Sequence, residues 1–374
     1  MAAGTLWRPR LNTALLFTSF FFFASATASI TSQFQHFYPQ HAREYEYILQ
    51  HNCTRQFDNY RTGRPQDFEI DALDGGGPAT VLVEPVIECL LENVSEYIKA
   101  ASASAQVVLG LTPPILASLG ASADELATLS YVGRRPLLSL LLSIGSPSVF
   151  SARAFVFDLP KELLRYTEAQ CRPYRPRENS HIAKGVLVAM QYVIALAAAT
   201  NIATLSWELG IRTVCSWWPN TVFAILAWSA LRIAIHFGGI LALRLRVRRR
   251  GKSEGLLDVL KSGWRDITKF EWQSAVCEDD KTKFEMEDHE ERSLVTVAWL
   301  WFLSAGTIIH MVFGSLVFSS LLFIGPSDAL IVIVRYVASV VACRIIVVFE
   351  FAGMREQEPP GSKSGGGQTA IYVC

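Results

Sequence analysis

With 374 residues, 51% of them hydrophobic and 18% charged, and a formal net charge of zero, the chain is too apolar for a string of soluble domains and too poor in charge for a disordered polymer. Acids and bases cancel overall, so the composition carries none of the basic excess that a nucleic-acid partner selects. What remains is an all-α fold: a multi-pass transmembrane helical bundle of about five spans, each of roughly 20 apolar residues, with a small lumenal amino-terminal segment.

Residues 1–28 read as a secretory signal peptide, because Arg8 and Arg10 precede an apolar core from Ala14 to Phe23 and small residues follow at Ala24, Ala26 and Ala28. Cleaved near Ala28 or retained as an anchor, such a segment delivers residues 29–99 to the lumenal or extracellular side. The triplets Asn52-Cys53-Thr54 and Asn93-Val94-Ser95 make Asn52 and Asn93 the expected glycan acceptors there. A segment of about 70 residues builds no large core, so a Cys53–Cys89 disulfide worth about 3 kcal/mol is the economical staple, with Cys215 as the rival partner for either. His36, His41 and His51 lack the spacing that would set two ligands on one helical face, and they read as surface histidines.

In residues 100–152 two segments compete for one crossing. Ala100–Ala123 is 24 residues long and interrupted by Gly110 and Pro113-Pro114, whereas Pro136–Ala152 is 17 residues long and interrupted by Gly145 and Pro147. The first is favoured as the span, since Arg134 and Arg135 then fall on the cytosolic side, and the second reads as a re-entrant or interfacial piece. Residues 153–184 form a cytosolic loop ending in Arg172, Arg175, Arg177 and Lys184. A helical pair follows in 185–243, with apolar runs at Gly185–Ser206 and Thr221–Leu243. The basic junction Arg244, Arg246, Arg248, Arg249, Arg250 and Lys252 then marks the cytosol.

The cytosolic loop 244–293 continues with Leu256, Leu257, Leu260, Trp264, Ile267 and Phe270 at helical spacing, an amphipathic helix for anionic inner-leaflet lipids or for the ends of the bundle. The acidic stretch from Glu278 to Glu291 has no calcium-loop frame and reads as a solvated face that neutralises the basic junction. A second helical pair occupies 294–349, with runs at Leu294–Phe323 and Ala329–Phe349, and the Pro/Gly/Ser-rich tail 350–374 reads as cytosolic and disordered.

Ionisable residues inside the apolar runs are the chain's most specific signal. Arg232 lies at the middle of its run, where a charge costs roughly 3 kcal/mol on insertion scales, and His236 follows one turn later on the same face. His310 is mid-run in the next span, and Arg335 and Arg344 lie in the last. The runs hold no Asp or Glu at comparable depth, which speaks against a carboxylate proton relay and for a cationic interior facing an anion, a lipid headgroup or backbone carbonyls. Structural partners are also available: Asp328 two turns from Arg335, and helix ends or Glu208 for Arg232. The Gly/Pro interruptions at Leu109–Pro114 and Ile144–Pro147 fit discontinuous helices lining a transport site. Small residues at Ala195, Ala199 and Ala203, and at Gly306 and Gly314, mark close helix packing.

The segments VLGLTPPILASLG (108–120), RRPLLSLLLSIGSPSVFSARAF (134–155) and IHFGGILALRLR (235–246) resemble those of multi-pass membrane proteins of filamentous fungi that have no assigned activity. That resemblance implies no catalytic residue. The chain has no HExxH, HxxxH, GxSxG or P-loop motif, and no cofactor or metal set is read from it. The first expectation is therefore a non-enzymatic integral membrane protein of the secretory pathway or plasma membrane, whose lumenal segment and cytosolic loop serve interaction or signalling. The second is a transporter or channel for an anion or amphiphile built around Arg232 and His236. The third is an unusual membrane enzyme dependent on His236 or His310.

Overall fold

The computed structural model describes residues 33–63, 80–149, 181–219, 221–249, 286–288 and 294–356. The signal segment 1–28, loop 153–180, the amphipathic stretch 256–270, nearly all of the acidic stretch and the tail beyond 356 lie outside the described residues.

An uncharged apolar run can satisfy its own backbone away from water only as a helix, and every long run here is one. Three short helices come first: α1 (Ala42–His51), α2 (Thr54–Thr62) and α3 (Thr80–Asn93). Gly63, at φ +67°, ends α2 in the left-handed conformation that glycine adopts without cost. A disulfide joins Cys53 to Cys89 with Cα atoms 5.9 Å apart, tying the α1–α2 junction to α3. Around it pack Phe34, Phe37, Tyr45, Leu49, Tyr60 and Leu90, a small core of its own.

The chain then enters α4 (Glu96–Gly110), whose N-cap Ser95 accepts from the Ile98 amide. After the break at Leu111, α5 (Thr112–Leu119) follows, with prolines in its first turn where no amide is missed. Next come α6 (Ala123–Tyr131), α7 (Pro136–Gly145), α8 (His181–Arg212), α9 (Ala224–Arg246), α10 (Leu294–Ser319) and α11 (Pro326–Glu356). Five helical stretches are long and apolar enough to cross a membrane: Glu96–Leu119, Ile182–Arg212, Ala224–Leu245, Leu294–Ser319 and Pro326–Met354. The protein is an all-α, multi-pass helical membrane protein, as its composition implies.

By length the competition in residues 100–152 resolves toward the first segment. The α7 helix, with 10 residues, reaches only about 15 Å, half of a hydrocarbon core of about 30 Å. It folds back on α6 through Arg134, which takes a positive φ of 52° at the turn. The α6–α7 hairpin is enclosed by long helices: α6 packs on α9 and α11, and α7 packs on α8, α9 and α11.

Successive long helices run in opposite directions, so the start of α4, the end of α8, the start of α9, the end of α10 and the start of α11 gather beneath the short helices. There β1 (Val214–Cys215) pairs antiparallel with β4 (Leu321–Leu322). The run expected as Leu294–Phe323 therefore leaves the helix at Ser319. Phe323 instead turns into the disulfide-tied cap, its ring centroid 6.2, 6.1 and 5.3 Å from those of Phe34, Phe37 and Tyr45. At the other end, β2 (Val247–Arg249) pairs antiparallel with β3 (Met286–Asp288), a register that sets Arg248 opposite Glu287 and so brings the basic junction beside the acidic stretch.

Candidate functional site

Helical spacing puts Ser229, Arg232 and His236 on one face of α9, and that face is turned inward: Arg232 is 0% exposed and His236 1%. Arg232 donates through Nη2 to the Ala121 carbonyl at 3.1 Å. Ala121 lies just beyond the carboxyl end of α5, where helix carbonyls lack intrahelical donors and the macrodipole is negative. Among the described residues, Arg232 Nε and Nη1 have no hydrogen-bond partner.

Acidic groups near this guanidinium come from the inserted hairpin. Asp124 and Glu125, in the first turn of α6, interact electrostatically with Arg232. Glu125 closes a capping box with Ser122, at 2.8 and 3.1 Å, and forms an ion pair with Arg344 of α11. The five long runs supply no carboxylate at the depth of Arg232, but the short helix between them does.

His236 faces α7, with Nε2 3.4 Å from Ser139 Oγ, and its Nδ1 has no partner among the described residues. His310 on α10 lies 3.0 Å from the Pro147 carbonyl through Nε2. A carbonyl only accepts, so that nitrogen carries the hydrogen and Nδ1, which has no partner, is the other face of the ring. The His310 ring stacks on Trp228 at 5.4 Å and 6°, and the Trp228 indole donates to the His310 carbonyl at 3.1 Å. Gly314, one turn beyond His310, is where a Cβ would run into that indole. Both imidazoles interact electrostatically with Arg232.

The two interrupted segments meet beside these residues. Ser148 Oγ donates to the Pro113 carbonyl at 2.7 Å, and a Cβ on Gly120 would come within 2.7 Å of Ser146 Oγ. The ends of α5 and α7 and the start of α6 thus converge inside the bundle, as discontinuous helices do around a bound ion.

Arg335 is placed otherwise than its sequence neighbours imply. It pairs with Glu208 at 2.8 Å and with Asn201 Oδ1 at 3.0 and 3.2 Å, while Asp328 accepts from the Gln40 amide at 3.0 Å and anchors the cap. Glu208 is consequently the partner of Arg335 and not of Arg232. Of the small residues, Ala195, Ala199 and Gly314 are buried in close packing, whereas Gly306 faces open space and Ala203 is exposed.

Sequence reasoning missed the most deeply buried ion pair among the described residues. Arg135, at the N-cap of α7, lies 2.8 Å from Glu350 of α11, both side chains 0% exposed. Gln191 of α8 bridges them, accepting from Arg135 at 2.7 Å and donating to Glu350 at 2.6 Å. Arg135 reads in the sequence as a cytosolic marker and Glu350 as the first residue of the tail. The available signal was Gln191, an amide inside a long apolar run.

Near the cap, Ser206 Oγ lies 2.9 Å from Ser229 Oγ and 3.0 Å from the Tyr336 hydroxyl. Among the described residues no group of His, Cys, Asp and Glu could hold a metal ion. Asn52 and Asn93 are exposed on the cap, and the Asn52 amide donates to the Asn93 carbonyl at 2.7 Å. Comparison with protein-family models, with curated proteins and with solved structures finds no match.

Proposed function

We propose that this is a non-enzymatic multi-pass membrane protein that binds and translocates a small anion through a site built on Arg232, with His236 and His310 as neighbours. The observation that carries the reading is the guanidinium itself, fully buried, with one carbonyl ligand and two nitrogens that have no partner among the described residues. A buried charge is tolerated only when paired and hydrogen-bonded, and leaving it otherwise costs several kcal/mol. Asp124 and Glu125 and the α5 carbonyls offset part of that cost. An anion bearing hydrogen-bond acceptors fills the remaining donor directions.

The enclosure by α5, α6 and α7 favours a small inorganic anion or carboxylate over a two-chain amphiphile, which would need the bundle to part sideways. The enzyme reading has only the Ser139–His236 contact to support it. Among the described residues nothing orients that imidazole from its Nδ1 side, and catalytic pairs need such a third group. The interaction or signalling reading rests on the lumenal segment and on the loop 244–293, and most of that loop lies outside the described residues.

With the positive junction in the cytosol, the cap and its acceptors Asn52 and Asn93 face the lumen or exterior, in the secretory pathway or at the plasma membrane. The membrane itself is the standing partner, with anionic inner-leaflet lipids beside the basic junction. The resemblance to multi-pass membrane proteins of filamentous fungi is compatible with this placement.

The test is uptake of labelled chloride, phosphate and acetate into proteoliposomes. Uptake of one of them is expected, abolished by Arg232→Gln and partly kept by Arg232→Lys. Uptake of none, or uptake indifferent to Arg232→Gln, would sink the reading.

A further inference from the structure

We propose that the anion's route is a buried polar line running from the cap to the opposite end of the bundle, closed in this structure by Tyr38 at one end and by the Arg135–Glu350 pair at the other. This rests on the anion reading above and extends it from a site to a path.

Each link is a contact or one helical turn. Tyr336 meets Ser206 at 3.0 Å, and Ser206 meets Ser229 at 2.9 Å. Ser229 is followed on α9 by Arg232 and then His236, three and four residues apart along one face. His236 reaches Ser139 at 3.4 Å, and Ser139 stands one turn above Arg135 on α7. Arg135, Gln191 and Glu350 complete the line. These residues come from α7, α8, α9 and α11, and all nine are buried. Chance scatter of polar residues through an apolar bundle does not produce such continuity, because each one buried costs free energy unless it finds a partner.

The ends differ in kind. Tyr38 is buried in one cluster with Tyr336, its hydroxyl has no partner among the described residues, and Arg212 lies 5.6 Å from its ring. It is held there by the cap segment, since Gln40 binds Asp328 and Ser327 at 3.0 Å each. The opposite end is shut by an ion pair, and Arg135 keeps two further nitrogens, Nε and Nη2, without partners among the described residues. An arriving anion competes with Glu350 for that guanidinium, which is a way for the pair to part.

The test uses the full chain with Cys171, Cys215, Cys277, Cys343 and Cys374 changed to Ala and the Cys53–Cys89 disulfide kept. Single cysteines are placed at Ser229, Ser139 and, as a lipid-facing control, Leu316. Modification by the anionic thiol reagent methanethiosulfonate ethylsulfonate is read from each side of sealed vesicles. Ser229→Cys is expected to react from the cap side and Ser139→Cys from the other, both slowed by the transported anion, with Leu316→Cys inert. Tyr38→Ala should speed the first reaction several-fold and Glu350→Gln the second. The double exchange Arg135→Glu/Glu350→Arg should return the second to its slow rate, which a merely misfolded Glu350 variant would not do.

Unreactive cysteines at both positions, with Arg232-dependent anion uptake intact, would overturn the route while leaving the site. Reactivity equal to that of Leu316→Cys, or unaffected by Tyr38→Ala and Glu350→Gln, would overturn it as well.

Discussion

Arg135 and Glu350 matter differently apart and together. Removing one partner of a fully buried pair strands a charge, so Glu350→Ala or Arg135→Ala should lower stability by about 3–5 kcal/mol, whereas the double change Arg135→Met/Glu350→Leu should recover most of it. Melting of the purified protein in detergent checks this; a double variant as weak as either single one would mean that the pair's geometry, not its charge, is required. In the cap, burial and, behind it, the Glu44 carboxylate push the Tyr45 hydroxyl up to about 12. Burial also raises Tyr38, with Glu208 adding to it, and raises Tyr60 against the opposing hydrogen bond from the Gln33 amide. These folded-state values stand above the unfolded value of about 10, so the folded cap prefers protonated tyrosine. Its contribution to stability is full below about pH 10 and is lost as pH rises toward 12, so the cap should open over that interval with a steep late rise in tyrosinate absorbance. A single gradual step centred near the unfolded value would show these rings exposed. Arg232, His236 and His310 were legible as anomalies because a charge or imidazole inside an apolar run stands out. Arg135 and Glu350 were not, because each sits at a run's edge, where sequence cannot distinguish a buried residue from a wet one.

Among the elements, the α6–α7 hairpin positions the site. Its entry is the Ser122–Glu125 capping box, and Ser122→Ala should cost about 1 kcal/mol and loosen the Glu125–Arg344 pair with it. On α10, Gly314→Val should push Trp228 off His310, with loss of anion uptake at near-normal expression; tryptophan emission shifted to the red would report the displacement. Unchanged emission and uptake would show that the indole is not needed to hold His310. The long helices could be placed from their runs to within a few residues, since length and apolarity alone require them. The hairpin could not be assigned as firmly, since 10 apolar residues suit a core helix as well as an interfacial one. Its enclosure by α8, α9 and α11 is a matter of what surrounds it.

For the whole molecule, the disulfide-tied cap and the bundle are fastened through Phe323, Gln40–Asp328 and the β1–β4 pair. Cys53→Ala/Cys89→Ala should therefore destabilise the cap by about 2–5 kcal/mol, seen as an earlier first melting step with the bundle transition little changed. A single common transition lowered as a whole would mean that cap and bundle fold as one unit. Sequence by itself determined that the chain crosses a membrane several times and which runs do so, because the hydrocarbon interior leaves an apolar backbone only one regular solution. Only the tertiary structure decided that α5, α6 and α7 meet around Arg232, that Glu208 belongs to Arg335, and that Glu350 lies inside. Those pairings join residues from 111 to 215 positions apart, and an electrostatic partner is chosen by distance in space, which no local pattern encodes.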